Sequence, residues 1–162
     1  MISIRPAAQA DLAAINDIYN HYVLSCTCTW QTVPETMESR RQWFAHHGAK
    51  HPVIVAEDQG VVVGWGSLSK FHPREAWGMT VEDSVYIHHQ RQGQGLGSLL
   101  LKRLIELAAE LGHHTIVAAI SGDQAGSIAL HRKFDFTDCG CIRQAGFKFD
   151  RWLDVIYMQR MA

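Results

Sequence analysis

The sequence carries no charge excess: 15 Lys and Arg against 16 Asp and Glu leave a formal net charge of −1. That balance gives no electrostatic footprint for nucleic acid or for an acidic membrane surface. No stretch approaches the roughly 20 apolar residues of a transmembrane helix, and Met1–Pro6 contains no apolar core of a secretory signal. Cysteine is sparse, four in all, as two Cys-x-Cys pairs, Cys26/Cys28 and Cys139/Cys141. Without a secretion signal a disulfide framework is not expected, so the cytoplasm with reduced thiols is the expected compartment. One intervening residue is fewer than structural zinc usually spans. The ten histidines are scattered, as in His46-His47, His88-His89 and His113-His114, so no metal is expected. The chain also lacks a G-x₄-G-K-[ST] motif, which disfavours a nucleoside triphosphatase.

What is present fits one domain over residues 1–162, large enough to bury roughly two-thirds of its unfolded surface. A hydrophobic content of 47% and a charged content of 19% are ordinary for a globular protein. Met1–Pro6 reads as a first strand. Asp11 is placed to cap a helix over 11–25, whose apolar face is Leu12, Ile15, Ile18, Tyr19 and Tyr22. Pro34 and Thr36 introduce a second helix through Phe44. Val53–Ala56 and Val61–Phe71 are strands joined by an Asp58-Gln59-Gly60 turn. After the long loop 71–78 come a strand Thr80–Ile87, a helix 95–111 ended by Gly112, and a strand Thr115–Ile120. A short helix Ala125–Lys133 and strands 136–141 and 153–159 complete the chain. The expectation is a mixed α/β domain.

The most informative stretch is Gln92-Gly93-Gln94-Gly95-Leu96-Gly97, between the strand Thr80–Ile87 and a leucine-rich helix. Alternating glycines let the backbone approach a ligand and turn successive N–H groups inward. The helix start adds unpaired N–H groups and the positive end of its dipole, so a pyrophosphate is the natural occupant. The loop falls mid-chain, lacks strict G-x-G-x-x-G spacing, and has no acidic residue about 20 positions on. A doubly wound dinucleotide fold is therefore excluded.

The loop matches [RQ]-x-x-G-x-[GA], and with it the chain resembles the GNAT-superfamily N-acetyltransferases. The resemblance extends to the phosphinothricin and methionine sulfone (sulfoximine) acetyltransferase subfamily. It is carried by Ile4–Ala7, Trp30–Thr36, Thr80–His88, Ser127–His131 and Gly146–Val155. It implies a mixed, mostly antiparallel central sheet of about seven strands flanked by about four helices. It also implies acetyl-CoA as donor, a small-molecule amine as acceptor, and a homodimer.

By the same resemblance the amides from Gly93 to Ser98 (Gly93, Gln94, Gly95, Leu96, Gly97, Ser98), with Gln92, hold the CoA pyrophosphate. The strand edge at Val85, Tyr86 and Ile87 pairs with the pantetheine amides, and Gln124 and Ser127 add contacts. Glu82 is the candidate general base, because an ammonium must lose a proton before it attacks a thioester. The alternative for Glu82 is an ion pair, with Arg74 or another cation, that holds the loop. Asp83 should face the opposite side of the strand and is the weaker candidate. His131 either protonates the leaving thiolate or orients the acceptor, or it packs and hydrogen-bonds. Trp30, Arg74, Ala76, Trp77, Lys148 and Trp152 are the candidate acceptor-binding residues. Arg74 or Lys148 would meet a substrate carboxylate, and the tryptophans would form either apolar walls or core and interface.

Three positions depart from the subfamily pattern: Gln124 for an asparagine, Asp135 for a glycine, and His89 for a proline. None removes a reacting group. The implied reaction is direct acetyl transfer to a small amino acid or analogue. The alternatives are a protein N-terminal or lysine acetyltransferase and a non-catalytic acyl-CoA-binding regulator.

Overall fold

Seven strands form one sheet in the computed structural model, which describes residues 1–162. They are β1 (Ile2–Pro6), β2 (Val53–Asp58), β3 (Val61–Lys70), β4 (Thr80–Ile87), β5 (Thr115–Ser121), β6 (Thr137–Lys148) and β7 (Arg151–Met161). Their spatial order is β1-β2-β3-β4-β5-β7-β6, and only the β4–β5 pair is parallel. Helices α1 (Leu12–Ser25) and α2 (Met37–His46) cover one face, and α3 (Leu96–Glu110) and α4 (Ala125–Lys133) the other. No helix is long and apolar enough to cross a membrane.

Each face of the sheet has its own core because strand side chains alternate. Leu68, Val81, Ile116 and Met158 pack under Leu100, Leu101 and Leu104 of α3. Burying each such side chain stabilises the fold by about 1.5–3 kcal/mol. On the other face Val53, Val55 and Trp65 take Leu12, Ile15, Ile18 and Tyr22 of α1. A Cβ at Gly66 of β3 would lie 3.0 Å from Leu104 Cδ1, so this glycine lets α3 settle close on the sheet.

The structure revises several boundaries. Asp11 does not cap α1 with its side chain; a short 3₁₀ turn, Gln9–Asp11, leads into the helix instead. The Asp11 carboxylate turns back to accept from the Ala8 N–H at 2.7 Å and from both terminal nitrogens of Arg5 at 2.7 and 2.9 Å. Thr36 does cap α2, accepting from the Ser39 N–H at 3.1 Å. The largest difference is the β6–β7 hairpin, which extends well beyond 136–141 and 153–159. Phe149 and Asp150 turn it, both left-handed at φ 52° and 56°. Asp135 is also left-handed, φ 63°, a conformation Asp adopts more readily than most residues.

Candidate active site

The parallel β4–β5 ladder holds only three residue pairs, Thr80–Glu82 against Thr115–Val117. Beyond Glu82 the two strands part, although β3 stays paired with β4 as far as Ile87. The gap is a cleft of about 500 Å³. Its walls are β4 from Glu82 to Ile87, Ala118–Ile120 of β5, the glycine loop, the start of α4 and the turn after α1. On this side the β4 edge from Asp83 to Ile87 has no strand partner.

Gly93 and Gly95 are left-handed, φ 73° and 79°, a region nearly closed to residues with a Cβ. The first bond of α3 runs from the Leu99 N–H to the Gly95 carbonyl at 3.2 Å, so no backbone carbonyl accepts from the amides of Gly93 to Ser98. Nor does any side chain cap α3. The result is a row of free N–H groups at the positive end of a 15-residue helix, which can hold an anion. Gly97 serves differently: its φ is not left-handed, and a Cβ there would lie 3.2 Å from Leu130 of α4. The Gln92 side chain donates to Tyr22 Oη at 2.7 Å, and Tyr22 donates to the Ile87 carbonyl at 2.5 Å, tying the loop to the strand edge. Gln94 accepts from Arg91 at 2.9 Å, and the Ser98 hydroxyl is 3.4 Å from the Lys133 ammonium; neither residue lines the cleft.

Glu82 lines the cleft and has no hydrogen-bond or ion-pair partner in the protein. Burial, reinforced by the neighbouring Asp83, pushes its carboxyl above the usual carboxylate range. Asp83 projects to the opposite face, where it meets His131: Nε2 lies 3.0 Å from Asp83 Oδ2, with the side chains 6% and 2% exposed. The other ring nitrogen, Nδ1, is 2.7 Å from the Ser127 carbonyl. Two acceptors around one imidazole require protons on both nitrogens, an imidazolium paired with a carboxylate. Burial pulls the His131 pKa down, but the Asp83 carboxylate outweighs it and the net shift is upward. Asp83 Oδ1 is buried with no partner.

The remaining candidates divide. Trp30 lines the cleft over Gly146, whose missing Cβ would lie 2.6 Å from the indole. Val85, Tyr86, Ile87 and Ser127 are also in the walls, as is Gln124, whose Nε2 donates to Thr27 Oγ1 at 2.8 Å. Lys148 is 4% exposed, and its ammonium donates to the Cys26 and Thr29 carbonyls at 2.7 and 3.0 Å, outside the cleft lining. Arg74 and Ala76 also lie outside it, while Trp77 borders a separate groove on β5–β7. Trp152 is exposed and packs on Phe147 with ring centroids 5.0 Å apart. The Asp83–His131 pair is the feature sequence reasoning missed, because the two residues are 48 apart and on different elements.

Comparison with known proteins gives the family. Residues 15–136 match the profile of the Acetyltransferase (GNAT) family. An L-methionine sulfoximine/L-methionine sulfone acetyltransferase of Salmonella typhimurium is 42% identical over 159 residues, covering 98% of this chain and 93% of that protein. A GNAT superfamily phosphinothricin acetyltransferase from Sinorhizobium meliloti, solved in complex with acetyl-CoA, superposes with a TM-score of 0.96. It is 36% identical and the match covers 99% of this chain and 88% of that one. A ribosomal-protein-alanine N-acetyltransferase from Brucella melitensis also reaches a TM-score of 0.96, at 41% identity over 99% of both chains. The split sheet, the free amides at the start of α3 and the family match lead to one assignment: this chain belongs to the GNAT acetyltransferase family.

Proposed function

We propose that the protein acetylates the amino group of a small amino acid or amino-acid analogue, with acetyl-CoA as donor. One observation carries the reading: an unpartnered Glu82 carboxylate, an unpaired strand edge and a row of free N–H groups border a single cleft. The relatives that act on methionine sulfone or phosphinothricin supply the acceptor class. Acetyl-CoA supplies an acetyl group already activated as a thioester. The amides of Gly93 to Ser98 hold its pyrophosphate, and the free edge of β4 pairs with its pantetheine amides as an added strand.

Glu82 takes the proton from the acceptor ammonium, directly or through water, so that the free amine attacks the thioester carbonyl in one ternary complex. Its raised pKa suits it to a base that works near neutrality. His131 takes the hydrogen-bonding role: both its ring N–H groups are engaged, by Asp83 and by the Ser127 carbonyl, so it stiffens the cleft wall and the departing thiolate takes its proton from solvent. Trp30 forms the acceptor wall. Phe147, Phe149 and Trp152, exposed on the β6–β7 hairpin, support a homodimer built on that hairpin.

A second acceptor, a protein N-terminus, is favoured by the likeness to the ribosomal-protein-alanine enzyme. A thiol-release assay with acetyl-CoA decides between them, run on amino acids, methionine sulfone, methionine sulfoximine, phosphinothricin and alanine-terminated peptides. Faster turnover on the free amino-acid analogues is expected; turnover on the peptides alone would replace the proposal with the second reading. In the same assay Gly95→Ala should weaken acetyl-CoA binding. A Cβ there meets nothing within 4 Å, so the cost is backbone strain alone, about 1–2 kcal/mol. An unaltered KM for acetyl-CoA would remove the loop from pyrophosphate binding.

A further inference from the structure

Cys26 and Cys28 follow α1 on a tight turn, and both line the cleft that contains Glu82. The Cys28 amide donates to Cys26 Sγ at 3.2 Å. The Cys28 side chain and amide beside that sulfur, with Lys148 near by, pull the Cys26 pKa down. The contact with Cys26, together with burial, keeps Cys28 protonated. The amide N–H aimed at its sulfur makes Cys26 the better placed of the two to carry a thiolate, with the Cys28 thiol in the same turn and the same cleft. Cys139 and Cys141 share the same sequence spacing but are exposed along a strand.

The turn also ties two cleft walls together. Thr27 donates to Asp123 at 2.8 Å and accepts from Gln124 Nε2 at 2.8 Å, at the start of α4. The Cys26 and Thr29 carbonyls hold Lys148 at the end of β6. Bringing the two sulfurs to the roughly 2.0 Å of a disulfide must therefore pull on α4 and on the hairpin.

We propose that Cys26 and Cys28 form a peroxide-sensitive dithiol whose closure to a disulfide distorts the cleft and switches off acetyl transfer. The effect on turnover rests on the proposed function; formation of the bond does not. The Cys26 thiolate attacks one peroxide oxygen, the O–O bond breaks, and the departing hydroxide is protonated to water. Cys26 is then a sulfenic acid. The Cys28 sulfur attacks the sulfenic sulfur, and the displaced hydroxide leaves as water with the Cys28 proton. Two thiols lose two electrons in all, and one peroxide is reduced to two waters.

The test uses the Cys139→Ser/Cys141→Ser protein, in which Cys26 and Cys28 are the remaining thiols. Hydrogen peroxide should lower its intact mass by two hydrogens and cut acetyl transfer several-fold, and dithiothreitol should reverse both. Adding Cys28→Ser should stop the reaction at a sulfenic acid on Cys26 that dimedone traps. No loss of mass, no dimedone adduct, or a disulfide that leaves turnover intact would each overturn the proposal. If the reduced protein acetylates no amine, the functional reading fails, while the mass and dimedone readings still decide whether the dithiol closes.

Discussion

Replacing Glu82 with Gln should lower kcat at neutral pH by about 10²–10⁴-fold while leaving acetyl-CoA affinity unchanged, the range for loss of a positioned general base. The side chain keeps its shape and loses only its ability to take a proton. Burial and then Asp83 raise the Glu82 pKa, and the base works when deprotonated. Wild-type kcat/KM should therefore fall as pH drops through a value above the usual carboxylate range of about 4.3, and Glu82→Gln should lose that acid limb. Steady-state rates from pH 4.5 to 9, with isothermal titration of acetyl-CoA, check both points. An unchanged profile would dismiss Glu82 as the base.

Asp83→Ala should destabilise the fold by about 3–5 kcal/mol, the penalty for leaving one partner of a buried ion pair alone. Neither side chain exceeds 6% exposure, so water screens little of the loss. Urea unfolding measures it, and the Asp83→Ala/His131→Ala double variant should lose less than the two singles added together. The sign of the pH dependence follows from the raised His131 pKa. The folded state binds the proton more tightly than the unfolded chain. The pair's stabilisation is thus complete below an unfolded histidine pKa of about 6.5 and is lost as pH rises through the higher folded value. Asp83→Asn has a second consequence that a purely structural role would not produce: it removes a negative neighbour of Glu82 and should move the acid limb of kcat/KM downward. Strictly additive destabilisation and an unmoved acid limb would refute the coupling.

The fold was legible wherever one side chain in two or in 3.6 faces a core. Helix α3 repeats leucine at helical spacing because one face of it is wholly buried, and the glycine loop announces itself because its backbone angles need glycine at Gly93 and Gly95. The outer half of β6 could not be read, because almost all of its side chains are exposed and no alternation marks it. Nor could its turn: left-handed pairs are usually written Asn-Gly, not Phe149-Asp150. Glu82 stood out through the residues around it. The Asp83–His131 pair did not, since a strand and a helix 48 residues apart share no periodicity. Arg74 and Lys148 show the converse: a cation in a plausible segment says nothing of where its charge is spent, and two carbonyls hold that of Lys148.

The strand order has a consequence for biosynthesis. Strand β7 lies between β5 and β6, and it is the only strand partner of β6. While residues 151–161 are still inside the ribosome, β5 has a bare outer edge and β6 has nothing to pair with. Strands β1 to β4 find their neighbours among themselves, whereas the second wall of the cleft must wait for residues 151–161. A nascent chain stalled short of Arg151 would thus carry the glycine loop and Glu82 but no finished enzyme, leaving its apolar β5 edge as a target for chaperones.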